Sequence, residues 1–140
     1  MTVRVERTLR VDASPEDIWE FIADPAERAR AISVVDRFDR RGETTIWHID
    51  LPIPLVRRTL QVRTKDVERN PPTDVKFRGT SKAFTVTGKH TIAKADHSAT
   101  VSNVFVVEGR APGVERFFER NFEEEIGNLE RALRRYLDEQ

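Results

Sequence analysis

His90 and Asn103 are the residues whose types and placing could do chemistry. Each falls within a strand-like alternation at the parity of its apolar neighbours: Phe84, Val86, His90 and Ile92 along one stretch, Val101, Asn103, Phe105 and Val107 along the next. If that face turns inward, an imidazole and a carboxamide stand in an otherwise apolar interior, where they would orient a ligand's carbonyl or hydroxyl. The imidazole could also act as a general acid or base, because it titrates near neutrality. The alternatives are that the pair bond to each other or to backbone, or that the register turns outward near Gly88. Glu125 is the third candidate. At about 100° per residue it projects near the apolar face of the terminal helical stretch, between Phe118 and Ile126. A carboxylate at a cavity edge could move a proton, or simply reach water or an arginine.

Other chemistries find little to work with. The three histidines, His48, His90 and His97, are far apart, with His48 on the polar parity of its strand and His97 in a turn, so no metal site is expected. The absence of cysteine removes disulfides, thiolate nucleophiles and common structural zinc sites. No serine stands in a Gly-x-Ser-x-Gly elbow, Ser102 reads as outward facing, and no glycine-rich phosphate loop follows a strand. No catalytic residue is assigned and no cofactor is expected. Lys plus Arg and Asp plus Glu balance at 24 each, so no field recruits nucleic acid, and Trp19, Trp47 and the eight phenylalanines read as core. The first ten residues have no continuous apolar run, which argues against a signal peptide or a transmembrane segment and makes a cytoplasmic protein the expectation.

The elements that must position these residues are legible. Val3, Val5, Leu9 and Val11 alternate with charged residues as a first strand. Ser14-Pro15-x-Asp17 and Asp24-Pro25-x-Glu27 are two helix starts in succession, predicting short helices at roughly 15–22 and 25–31. From Ser33 to Glu108 the chain reads as a meander of about six strands. Its breaks fall at Arg41-Gly42-Glu43, Pro52-Ile53-Pro54, Asn70-Pro71-Pro72, Gly79-Thr80-Ser81 and Ala95-Asp96-His97-Ser98. Gly113 to Gln140 is one amphipathic helix, with Phe118, Phe122, Ile126, Leu129, Leu133 and Tyr136 on one face and Glu130 and Gly127 on the polar side. The length is that of one domain, residues 1–140.

Strand, helix pair, six-strand meander and long terminal helix resemble the helix-grip fold of the SRPBCC superfamily around the START and birch-pollen-allergen (Bet v 1)-like proteins. The residues that carry the likeness are Val11-Asp12-Ala13-Ser14-Pro15-Glu16-Asp17-Ile18-Trp19, Asp24-Pro25 and Gly88-Lys89-His90-Thr91-Ile92. Within it the chain is similar to the polyketide cyclase/dehydrase and lipid-transport proteins and to the CoxG-like branch. The resemblance implies an α+β architecture in which a seven-stranded curved antiparallel sheet wraps around the C-terminal helix.

Such a fold encloses a hollow. Its expected wall is Trp47, Ile49, Leu60, Val62, Phe77, Phe84, Val86, Phe105, Phe118, Phe122 and Ile126, with His90 and Asn103 as polar anchors. The loops after strands three, five and seven should meet beside the start of the last helix, giving a mouth of Ile53, Leu55, Arg58, Lys82 and Arg110 suited to an amphipathic molecule with an acidic head. The first functional reading is therefore a carrier or sensor of a small hydrophobic or amphipathic, lipid- or polyketide-like ligand. The others are a cyclase or dehydrase using His90 or Glu125, and a CoxG-like accessory protein acting through its surface. Oligomeric state and ligand identity are not legible.

Overall fold

The computed structural model describes residues 2–51, 59–110 and 113–139. In chain order the elements are β1 (Thr2–Val11), α1 (Pro15–Ile22), α2 (Pro25–Ala31), β2 (Val35–Arg41), β3 (Thr44–Ile49), β4 (Leu60–Asn70), β5 (Asp74–Thr80), β6 (Phe84–Ala95), β7 (Ser98–Gly109) and α3 (Val114–Asp138). The strands form one 7-stranded sheet in the order β1-β7-β6-β5-β4-β3-β2, antiparallel throughout. The meander runs outward from β7 to β2, and the first strand returns to pair with the last. With α3 packed against the sheet and against α1 and α2, this is the helix-grip fold.

Local chemistry sets the boundaries. Ser14 Oγ accepts the Asp17 amide at 3.2 Å and Asp24 Oδ1 accepts the Ala26 amide at 2.9 Å, so each short helix begins on a capped residue followed by proline. Gly42 takes φ of 62° in the β2–β3 turn, and Gly113 takes 87° where the chain swings from β7 into α3. Register shifts at Asp36 and Val67 mark bulges that bend β2 and β4. The second bulge explains why Val67 is the exposed large hydrophobic residue.

Alternation along β3, β5, β6 and β7 puts apolar residues under α3, whose Phe118, Phe122, Ile126, Leu129 and Leu133 are all buried. Each such side chain contributes roughly 1.5–3 kcal/mol on burial, so the seam between helix and sheet is the main apolar reservoir of the fold.

Three sequence expectations are corrected. Glu130 and Gly127 are buried rather than solvated, because α3 leans over the edge strand β1. There Arg7, on the inner parity of β1, meets Glu130 at 3.0 Å. His48 is buried as well, its Nε2 held 2.9 Å from Asp39 Oδ2 on β2. No helix among the described residues is long and apolar enough to cross a membrane.

Candidate functional site

A small apolar chamber lies between the sheet and α3. Trp47 and Ile49 of β3, Phe77 of β5, Phe84 and Val86 of β6 and Phe105 of β7 face Phe118, Phe122, Ile126 and Leu129 of α3 across it. Ile32 and Val34, in the segment joining α2 to β2, close one flank, and Glu125 is the charged residue in the wall. The rings form a continuous chain. Trp47 touches Phe77 at 5.7 Å between centroids, Phe77 touches Phe105 at 6.1 Å, Phe105 touches Phe122 at 5.2 Å, and Phe122 and Phe84 both flank Phe118. Such contacts hold the wall rigid at aromatic spacing. The void they leave is about 30 Å³, room for a water-sized object.

Phe77 separates this chamber from a polar group on the same inner face. Behind it His90 Nδ1 donates to Asn103 Oδ1 at 2.7 Å, the two residues being direct cross-strand partners. That bond leaves Nε2 as the lone-pair nitrogen, buried and without a partner among the described residues. Burial, reinforced by the Arg28 charge, pulls the His90 pKa down to about 4, and the Asn103 bond opposes the shift. At neutral pH the ring is therefore uncharged, a poor proton donor and a weak base.

Arg28 itself was not legible as an interior residue. It stands on α2 only 4% exposed, donates to Ile22 O at 3.1 Å, reaches Asp66 Oδ1 at 2.5 Å and lies 5.2 Å from the Phe77 ring centroid. Burial lowers its pKa, and Asp66 works against that. Asp66 Oδ2 takes a second arginine, Arg69, at 2.6 Å. The alternation Leu60, Val62, Thr64, Asp66 was the signal that Asp66 turns inward. Nothing in the short α2 sequence marks Arg28 as its partner.

Of the expected wall, Trp47, Ile49, Phe77, Phe84, Val86, Phe105, Phe118, Phe122 and Ile126 line the chamber. Val62 is buried in the core outside the lining, and Leu60 borders a surface depression beside Thr80 and Lys82. His90 and Asn103 are brought together, but behind Phe77 rather than at the wall. Ile32, Val34 and Leu129 are wall residues the sequence reading missed; the first two sit in an inter-element segment where no periodicity operates.

Two buried polar groups remain at the chamber. Trp47 Nε1 is a donor without an acceptor among the described residues. Glu125, 7% exposed, accepts the Ser33 amide at 2.8 Å on Oε2 and the Ser33 hydroxyl on Oε1. At the expected mouth, Ile53, Leu55 and Arg58 lie outside the described residues. Lys82 is exposed. Arg110 is occupied as a strut, with its amide on Ala83 O at 2.7 Å, Nη1 on Ser81 O at 2.8 Å and Nη2 on Thr85 Oγ1. It ties the loop after β5 to the end of β7. Among the described residues no group of His, Asp and Glu could hold a metal ion.

Solved structures share this architecture across nearly the whole chain. A conserved protein from Geobacillus kaustophilus is 12% identical with a TM-score of 0.80, covering 98% of this chain and 96% of its own. An aromatase/cyclase from Streptomyces sp. R1128 is 16% identical with a TM-score of 0.74, over 97% and 94%. A START superfamily protein from Mycobacterium smegmatis is 14% identical with a TM-score of 0.70, over 93% of each chain. At such identities the likeness is one of fold. No curated protein matches the sequence. The model of one family spans residues 2–134, and the chain belongs to that family, polyketide cyclase/dehydrase and lipid transport.

Proposed function

We propose that the protein binds a small hydrophobic molecule carrying a hydrogen-bond acceptor, held between the sheet and α3. The observation that carries this reading is Trp47, a wall residue whose buried Nε1 donor has no acceptor among the described residues, in a lining otherwise apolar except for Glu125. A buried donor without an acceptor costs about 1–3 kcal/mol, which a ligand carbonyl or hydroxyl would recover. The lipid-transport part of the family's description, and the START relationship of one structural neighbour, support the same reading.

The water-sized void makes binding conditional on movement. An organic ligand needs the helix and the sheet to part, so affinity should rise with ligand apolar area, at about 25 cal/mol per Å², less the cost of that opening. Proton-transfer chemistry of the cyclase type finds less support. His90 and Asn103 spend their bond on each other, Glu125 accepts both donors of Ser33, and His90 is neutral with a low pKa.

The test is native mass spectrometry of the purified chain titrated with a series of linear alcohols, alongside a Val86→Phe variant that fills the chamber. Saturable one-to-one binding that strengthens with chain length and is lost in Val86→Phe supports the proposal. Absence of any adduct across the series, or equal binding by the filled variant, overturns it.

A further inference from the structure

The end of α2 and the turn that follows it separate the chamber from a second, outward-facing groove. Along residues 31–34 the side chains alternate between the two: Ile32 and Val34 line the chamber, while Ala31 and Ser33 line the groove. On α3 the same partition recurs, with Glu125 and Leu129 inside and Asn128 and Ala132 outside. The wall here is therefore a single length of backbone laid against the flank of a helix.

Few of the described hydrogen bonds hold that seam shut beyond the packing of Ile32 and Val34 on the core. The Ile32 amide reaches Ala29 O at 3.4 Å as α2 ends, and the next backbone anchors are Val35 N to Ile32 O at 3.1 Å and Asp50 N to Val34 O at 3.2 Å. Across the seam itself, the described hydrogen bonds between the segment and α3 are the two from Ser33 to Glu125. Ser33 is exposed, so water competes for both. Gly127, two residues beyond Glu125, weakens α3 locally by about 1 kcal/mol relative to alanine.

The groove outside measures about 690 Å³ and is floored by Phe21, Ala31 and Ala132. It carries Arg30, Arg131 and Arg135 against Glu27 and Glu139. Arg30 is engaged with Glu27 at 2.9 Å and Arg131 donates through Nη2 to Asn128 Oδ1, while Arg131 and Arg135 stand one turn apart on α3 with like charge. An anion between them would relieve that repulsion. Glu125 imposes the complementary condition inside, because its carboxylate disfavours burying a second negative charge at the chamber wall.

Resting on the reading of the chamber as a ligand site, we infer that ligand enters through the seam between residues 31–34 and α3, and is an amphiphile whose apolar chain occupies the chamber while its anionic head stays on Arg131 and Arg135. The Ser33–Glu125 pair is the latch of this entry. This moves the acidic-head recognition away from the loop rim, where Arg110 is committed to Ser81 and Thr85.

The probes are dodecanoate and dodecanol, equal in chain and different in head, titrated below their aggregation limits into the 140-residue chain at low salt, with affinity and association rate read by tryptophan fluorescence. Wild type is expected to favour dodecanoate about three- to tenfold, the range two partly exposed ion pairs supply. Arg131→Gln with Arg135→Gln should bring that ratio to about one. Glu125→Gln should speed association of both probes, and Ser33→Ala should do so to a smaller extent if Glu125→Gln compromises folding. Dodecanol binding without a head preference, a preference that survives the double substitution, or unchanged association rates in both latch variants overturns the inference and leaves the chamber reading intact. Displacement of dodecanoate by excess acetate would mean a free-anion site and also overturns it. Failure of both probes to bind wild type removes the chamber reading together with the inference.

Discussion

Phe77 lies flat across Gly88, its direct partner on the neighbouring strand, so closely that a β-carbon at position 88 would sit 2.1 Å from the ring. The missing side chain is what lets Phe77 stand where chamber, His90 and Arg28 meet. In Gly88→Ala the ring has to leave that seat and disturb its contacts with Trp47, His90 and Phe105. Overpacking of this kind costs about 1–3 kcal/mol, enough to exceed the strand-entropy gain from replacing glycine. Chemical denaturation should show that loss, with a smaller affinity for a chamber probe in the same variant. A Gly88→Ala variant as stable as wild type would mean the ring relocates freely.

His90 gives the fold a pH dependence whose sign follows from its burial. Its folded pKa is about 4, below the ordinary value near 6.5. As pH falls through the ordinary value, the unfolded chain takes up a proton that the folded chain refuses, so stability declines from about pH 6.5 and levels near pH 4. The gap corresponds to roughly 3 kcal/mol. His90→Gln keeps a partner for Asn103 and lacks this titration. The difference between the two stability-versus-pH curves should therefore appear within that window, and parallel curves would remove His90 as the cause.

How much of this was readable beforehand depends on what fixes each residue. Both short helices and the terminal one follow from local signals, the caps at Ser14 and Asp24 and the spacing of Phe118, Phe122 and Ile126, and their observed bounds agree with those signals. Period-2 alternation likewise put Trp47, Phe77, Phe84 and Phe105 on the inner face. What alternation cannot tell is depth. His90 and Phe77 share the inner face, but only packing decides that Phe77 lines the chamber and His90 stands behind it. Arg28, Glu130 and Gly127 were misread or missed because each is buried by an element distant in sequence: Asp66 on β4 for the first, the lean of α3 over β1 for the others.

The Arg28–Asp66 pair should respond asymmetrically. Asp66→Ala leaves a guanidinium that is 4% exposed without its carboxylate, a change that costs about 3–5 kcal/mol. Arg28→Met leaves Asp66 with Arg69 at 2.6 Å and refills the space with an apolar chain, so the loss should be only ~1–2 kcal/mol. Thermal or urea unfolding of the two variants tests the order, and equal losses would show that the pair is not the determinant.

The opposite flank of α3 makes the same argument with the charges exchanged. Glu130 is the buried partner there, its side chain 11% exposed against 44% for Arg7. Arg7→Met strands the carboxylate under the helix and should cost about 1–3 kcal/mol. Glu130→Leu leaves an arginine that can turn to water, so its effect should be small, and the double variant should regain most of what Arg7→Met loses. A double-mutant cycle by denaturant unfolding measures the coupling directly. Additive single effects would mean that Arg7 stabilises α3 through its bond to Glu123 O, 3.4 Å away, and not through Glu130.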